Sequence, residues 1–249
     1  WDRDRPPRRV KPSIKEAAVE WSKDVAKVSD QEEGYLREFF DKEGFYEIAP
    51  PIITKSGCEG GSTLFAMDYF GEKAYLTQSS QMYAEGFVFS LGKVFVLAPS
   101  FRAEKSRTVR HLAEYWHLEP EMAFCGFEDN LKLQEQLITH IVKKTLENRS
   151  RELEVLKRNV KPLKNVEPPF DRISYGEAID MLQKGGQKIE WGEDLGTPHE
   201  KFISLKFRKP VFVHRYPTKV KAFYMQPDPD NPQIALCADL MAPEGYREI

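Results

Sequence analysis

The spacing of apolar and polar residues divides the chain into helical and extended stretches before any chemistry is considered. Ser13-Ile14-Lys15-Glu16 fits a capping box, which predicts a helix to about Val28. A second helix is predicted from about Asp30 to Glu43, with Leu36, Phe39 and Phe40 on one side and a stop at Gly44. Phe45 to Ile53 reads as a strand interrupted by Pro50-Pro51. Proline cannot donate to a ladder, so this strand belongs at an edge or an interface. Leu64–Tyr69 and Lys73–Thr77 are predicted as a hairpin about Gly71. Ser79 to Leu91 reads as a helix whose Phe87, Val88 and Leu91 favour the core. Gln81 and Glu85, at i and i+4, project from one face of it with Ala84 beside them.

Val94–Leu97 leads into two extended stretches with a less ordinary pattern. In the first, Arg102 and Glu104 share a parity and leave one face. In the second, His111, Ala113, Tyr115, His117, Glu119 and Glu121 alternate with Leu112, Trp116, Leu118 and Met122, and the apolar set reads as core. A loop holding Lys105, Arg107 and Arg110 joins the two, which predicts an antiparallel hairpin with a cationic tip. Guanidinium for phosphate, ring for base and carboxylate for an N–H would suit a nucleotide. The alternative is an ordinary hairpin with a solvated polar face.

Further on, Asn130 to about Arg158 is predicted as the longest helix, its leucines and Ile141 spaced for packing. Asn159–Phe170 reads as a Pro/Lys linker, Ser174 as the cap of a helix from Tyr175 to Lys184, and Gln183–Pro198 as loop. Short strands are expected around Phe202–Phe207, Val211–Tyr216, Ala222–Met225 and Ile234–Asp239. Asp239 and Glu248 form a late carboxylate pair that can bind Mg²⁺ through oxygen. In Ser56–Ser62, three glycines surround Glu59, which can meet a bound amino group or simply decorate a glycine-rich turn. There is no GxGxxG motif, P-loop, internal repeat or low-complexity tract.

Composition narrows the class. Lys and Arg number 37 against 39 Asp and Glu, a net charge of −2, so any nucleic-acid contact must be local. The Arg/Pro-rich lead Trp1–Lys11 reads as an extended arm that would touch RNA or stay solvated. Cys58, Cys125 and Cys237 make neither a disulfide ladder nor a zinc pattern, which suits a reducing cytosol. No apolar run reaches the roughly 18 residues of a membrane span. The expectation is a soluble, cytoplasmic globular protein.

Taken as a set, these segments resemble the catalytic domain of class II aminoacyl-tRNA synthetases. The aspartyl/asparaginyl branch fits best, and within it the archaeal/eukaryotic-type asparaginyl enzymes. Gly44-Phe45-Tyr46-Glu47-Ile48-Ala49-Pro50-Pro51-Ile52-Ile53 is similar to motif 1, and Phe101-Arg102-Ala103-Glu104 through Glu121 is similar to motif 2. The resemblance runs from about Phe39 to Ile249; residues 1–30 form a basic arm and helix of unclear role. It implies an α+β fold, an antiparallel sheet flanked by helices, and a homodimer formed through motif 1 around Pro51. It also implies adenylation of asparagine by ATP with Mg²⁺, then transfer to tRNA(Asn).

Residue by residue, the resemblance gives Arg102 the α-phosphate and the substrate carboxylate. It puts Glu104 near the adenine or the tRNA end, Tyr115 against the adenine, and Arg110 and His111 at the outer phosphates. Glu59 and Glu119 take the α-ammonium with Gln81 nearby, and Asp239 and Glu248 carry Mg²⁺ and ATP. Aspartyl relatives place a lysine where this chain has Ala84, and Glu85 follows it. A carboxylate accepts an amide N–H but repels another carboxylate, and sites of this kind discriminate by roughly 10⁴–10⁵. Asparagine is therefore favoured over aspartate.

Three departures matter. The chain reaches Ile249 where the family continues towards motif 3, Arg247 stands where glycine is expected, and the N-terminal anticodon-binding barrel is missing. A catalytic-domain fragment of a longer protein is the expectation. The rival readings are an aspartyl-tRNA synthetase, a tRNA-independent AMP-forming asparagine synthetase paralogue, and a non-catalytic dimerisation or RNA-binding module.

Overall fold

A computed structural model describes residues 32–55, 57, 63–103 and 112–249. The helix predicted for Ser13–Val28 lies outside the described residues, and so do Glu59, Glu104, Arg110 and His111. Chain contacts form two compact units. One comprises Arg37–Asn130 with Lys221–Met225; the other comprises Leu131–Val220, Gln226–Ile249 and the described part of Trp1–Leu36.

The first unit begins in helix α1 (residues 32–42). Gly44, at φ +78°, ends it in the left-handed region that glycine enters without penalty. Phe40 is fully buried, stacked on Phe95 at 4.6 Å and edge-on to Phe45 at 5.0 Å. The predicted strand around Pro50-Pro51 is split between two sheets. Strand β1 (Tyr46–Glu47) runs parallel to β5 (Lys93–Phe101), and β2 (Ile53–Thr54) pairs with β4 (Glu72–Leu76). Both are edge strands, with Pro50 and Pro51 in the segment between them. Strand β3 (Ala66–Tyr69) and β4 form the expected hairpin, turning on Phe70 and Gly71, both at positive φ.

Helix α2 (Gln81–Leu91) packs on β5 and on β6 (Glu114–Met122). It buries only Ala84 fully, whereas Phe87 is 44% exposed and Leu91 39%, contrary to the expectation that both lie in the core. The helix is apolar on nearly every side, and among the described residues only the side facing the hairpin is tightly covered. Leu112 and Trp116 were also expected inside and are 60% and 63% exposed. Among the described residues, their sheet face is covered at Phe95, where Phe40 sits, and left open at Trp116.

The second unit is built on a four-stranded sheet in the order β10-β9-β8-β7. Strands β7 (Asp171–Ser174) and β8 (Val211–His214) are parallel; β9 (Ala238–Ala242) and β10 (Arg247–Glu248) continue antiparallel. Parallel pairs thus supplement the antiparallel pattern that the sequence predicts. The long helix breaks at Arg149 (φ −125°), giving α3 (Phe127–Asn148) and α4 (Ser150–Val155). Asn148 and Ser150 flank the break, residues whose side chains compete with helical backbone bonding.

Helix α5 (Tyr175–Lys184) opens with the predicted Ser174 cap, a full capping box with Glu177. Phe202, expected in a strand, lies in the last turn of α6 (Thr197–Ser204). Gly196 in extended conformation and Pro198 in the first turn start that helix. Ala222–Met225 is a turn rather than a strand, closed by the Met225 N–H on Ala222 O at 3.0 Å. Ile234 makes only an isolated bridge to Pro217, and the strand proper begins at Ala238. Buried Tyr175, Leu182, Ile203, Val211 and Val213 form the core of this unit.

Ser174→Ala removes the acceptor for the Glu177 N–H and should cost about 1 kcal/mol of stability. Urea denaturation of the variant beside the wild type measures it, with the effect appearing in the midpoint rather than the slope.

Candidate active site

The β5–β6 register fixes the geometry of the site. Ser100 stands opposite Tyr115, Ala98 opposite His117, Val96 opposite Glu119 and Val94 opposite Glu121. Directly opposed residues share a face, so Tyr115, His117, Glu119 and Glu121 rise together, as their alternation predicts. Val94 and Val96 are fully buried on that same face.

Arg102 lies one residue past β5, and its N–H donates to Ala113 O at 3.0 Å, so the pairing runs beyond the strand. Its guanidinium carbon is 5.6 Å from the centre of the Tyr115 ring, within cation–π range. The Tyr115 and His117 rings follow at 5.4 Å, tilted by 57°. His117 Nδ1 is 3.1 Å from Ser100 Oγ and 3.5 Å from Glu119 Oε1.

Glu119 ends this row, with its side chain only 9% exposed. The Ser80 N–H donates to both carboxylate oxygens, at 3.1 and 3.0 Å, and the Ser80 hydroxyl donates to Oε2 at 2.6 Å. The Ser79 hydroxyl donates to Oε1. Ser80 is the N-cap of α2 and makes no side-chain cap of its own, so a carboxylate from the adjacent hairpin meets the positive end of the helix. Gln81 is drawn into the group, its N–H on Ser79 Oγ at 3.2 Å and its Oε1 3.4 Å from the same hydroxyl. Burial, then the charges of Glu119 and Glu85, raise the Glu121 carboxyl above its ordinary value. Glu85, Glu119 and Glu121 thus share one electrostatic neighbourhood, and it is acidic.

Asp239 and Glu248 lie in the second unit. Glu248 pairs with Met241, so it shares a sheet face with Met241 and hence with Asp239. Burial first, then the Asp239 and Glu248 carboxylates, hold the Tyr216 phenol well above its usual range. Two carboxylates near one hydroxyl form a hard oxygen set of the kind Mg²⁺ accepts while keeping its waters. Among the described residues no group of three or more His, Cys, Asp or Glu could hold a metal. Arg247, beside Glu248, takes φ +77°, the backbone state that favours the glycine expected there.

A family model described as tRNA synthetases class II (D, K and N) matches residues 19–249. The chain belongs to the class II tRNA synthetases of this type. The match begins ahead of Phe39 and takes in part of the segment read as a separate arm and helix. The chain is 55% identical over 218 residues to the asparagine–tRNA ligase of Koribacter versatilis, covering 85% of this chain and 49% of that protein. Among solved structures it resembles the asparaginyl-tRNA synthetase of Pyrococcus horikoshii complexed with asparaginyl-adenylate. There the TM-score is 0.91 and the identity 45%, covering 98% of this chain and 57% of the other. An aspartyl-tRNA synthetase from Entamoeba histolytica aligns less well, with TM-score 0.72 and 27% identity over 90% of this chain and 44% of the other. The chain spans about half the length of the curated relatives it matches.

Against the sequence reading of this synthetase, Arg102, Tyr115, Glu119 and Gln81 come together in one unit, and Glu85 acts there through its charge. Asp239 and Glu248 come together in the other. Sequence reasoning gave no role to Ser79, Ser80 or Ser100, and it noted His117 only as part of the face. Two serines opening a predicted helix are a cap signal, yet the carboxylate they would meet comes from a strand 39 positions away.

Glu121 supplies a pH test. A carboxyl raised in the fold binds its proton more tightly there than in the unfolded chain. Its contribution therefore falls as pH rises from the ordinary carboxylate range through the raised value. Glu121→Gln should remove that fall, leaving the variant relatively more stable at neutral pH than at acid pH, as read from denaturation midpoints between pH 4 and 8.

Proposed function

We propose that these residues carry the amino-acid activation site of an asparagine–tRNA ligase. Asparagine and ATP give asparaginyl-adenylate and pyrophosphate, and the 3′-terminal adenosine of tRNA(Asn) then accepts the aminoacyl group. The observation that carries the reading is the Arg102 guanidinium over the Tyr115 ring, beside the Glu119-capped start of α2. A cation and an aromatic face next to a fixed carboxylate suit a phosphate, an adenine and an ammonium, the three parts of an aminoacyl-adenylate.

The substrate carboxylate is itself the nucleophile, so no covalent enzyme intermediate is needed. Arg102 would compensate the charge that builds as it attacks the α-phosphorus in line, and the site would act by positioning. Tyr115 would bear the adenine. Glu119 spends its lone pairs on Ser79 and Ser80, so it would meet the α-ammonium chiefly through its charge, with Gln81 offering the nearby amide oxygen. Glu59, Glu104, Arg110 and His111 keep the roles their motif positions imply.

Asp239 and Glu248 would hold Mg²⁺, which when bound neutralises charge on the ATP phosphates. Ala84 is fully buried and brings no cation, while Glu85, Glu119 and Glu121 make the surroundings acidic. That setting supports asparagine over aspartate.

Residues 31–249 would form the catalytic domain and the first 30 an appended arm and helix. Homodimerisation through motif 1 is supported by exposed Tyr46, Ile52 and Ile53 around Pro51. Among the described residues no helix is long and apolar enough to cross a membrane, and the cytoplasm is the proposed location.

The full-length natural protein should exchange pyrophosphate into ATP with asparagine and not with aspartate. Equal exchange with both amino acids would sink the assignment of the acidic face. Arg102→Ala should lower the exchange rate by about 10²–10³-fold or more, since it removes a contact made to the developing charge. Near-normal exchange by that variant would remove the central assignment.

A further inference from the structure

Gln78 lies between the end of β4 and the start of α2 and is only 6% exposed. Its Nε2 donates to the Thr63 hydroxyl, while its Oε1 is buried with no hydrogen-bond partner among the described residues. Buried amides are rarely left half-used, because an unmet acceptor is costly in a low-dielectric interior. The one hydrogen bond that offsets this cost is the one to Thr63.

The importance of that bond follows from what Thr63 and its neighbours hold. Thr63 O accepts the Ala103 N–H at 2.7 Å, and Thr77 O accepts the Phe101 N–H at 2.9 Å. Between them the Arg102 N–H donates to Ala113 O at 3.0 Å. Arg102 has therefore passed the regular ladder of β5, and its backbone is gripped on one side by Thr63 and Thr77 and on the other by Ala113. Gln78 is the side chain that ties Thr63 to the Thr77–Ser80 segment. The same segment delivers the Ser79 and Ser80 donors to Glu119.

We propose that Gln78 is a positioning residue for Arg102, bracing through Thr63 the strand end from which the guanidinium projects. It touches no reacting atom. Its effect is to fix where the cation stands relative to the Tyr115 ring and the phosphate that the cation would meet. The inference rests on the synthetase reading for its catalytic consequence, but the brace itself is independent of that reading.

The test uses the full-length natural protein with Gln78→Met, which keeps the length and removes the donor, and with Thr63→Val and Thr63→Ser. Hydrogen exchange at the Phe101 and Ala103 amides should quicken in Gln78→Met and Thr63→Val and stay slow in Thr63→Ser. Unchanged protection in the first two would overturn the brace whatever the protein catalyses. In pyrophosphate exchange, Gln78→Met and Thr63→Val should each lower kcat by between about tenfold and 10²-fold, the scale of a misplaced catalytic group. KM for asparagine and ATP should hold within about twofold, because what is lost is an interaction specific to the transition state. The double variant should be no worse than either single one, since both remove the same bond. Unchanged kcat, or additive losses, would overturn the positioning role. A wild type that exchanges with no amino acid would instead overturn the synthetase reading, leaving the amide measurement to decide the brace. Should Gln78→Met fail to fold, Thr63→Val removes the bond from its other end.

Discussion

Helix α2 begins with backbone donors that have no partner inside the helix, and the Glu119 carboxylate on the neighbouring strand meets the first of them, the Ser80 N–H. The contact is charge-assisted, nearly dry, and made to the positive end of a helix, three conditions that each strengthen it. It fixes the helix to the hairpin at one point, and the rest of the site is arranged from that point. Gln81 reaches Ser79 because α2 starts where Glu119 holds it. His117, with Ser100 on one ring nitrogen, stands between the capping carboxylate and the Tyr115 ring that carries Arg102.

The arrangement concentrates polar groups on a sheet face that also buries Val94 and Val96. A row of glutamates there is tolerable only where partners absorb it. Glu119 has three donors around its two oxygens, whereas Glu121 has only burial and like charge, and its carboxyl is raised as a result. The two residues are alike in the sequence and share a sheet face. What separates them is whether a helix terminus faces them. In the other unit, burial first and then the Asp239 and Glu248 carboxylates raise the Tyr216 phenol.

Motif 1 illustrates how a local rule becomes architecture. Pro50 and Pro51 cannot donate to a ladder, and the chain uses them to leave one sheet and join the edge of another, parallel to β5 before them and antiparallel to β4 after them. The aromatic packing of Phe40 on Phe95 secures β5, the strand that carries Arg102 at its far end.

Period-2 alternation was enough to place Tyr115, His117, Glu119 and Glu121 on one face, and cap chemistry was enough to place Ser174 and Gly44, because both depend on near neighbours alone. The family motifs likewise stand in the order of the letters. Alternation could not say which face would be covered: Trp116 and Phe87 are as apolar as any core residue, yet both remain substantially exposed. The apolar run around Phe202 reads as a strand, yet its first residues belong to helix α6, which starts at Gly196 and Pro198. Partnerships across long separations belong to the tertiary structure alone. Glu119 with Ser80 and Gln78 with Thr63 are bonds between distant stretches, and no local pattern specifies which distant donor an acceptor will meet.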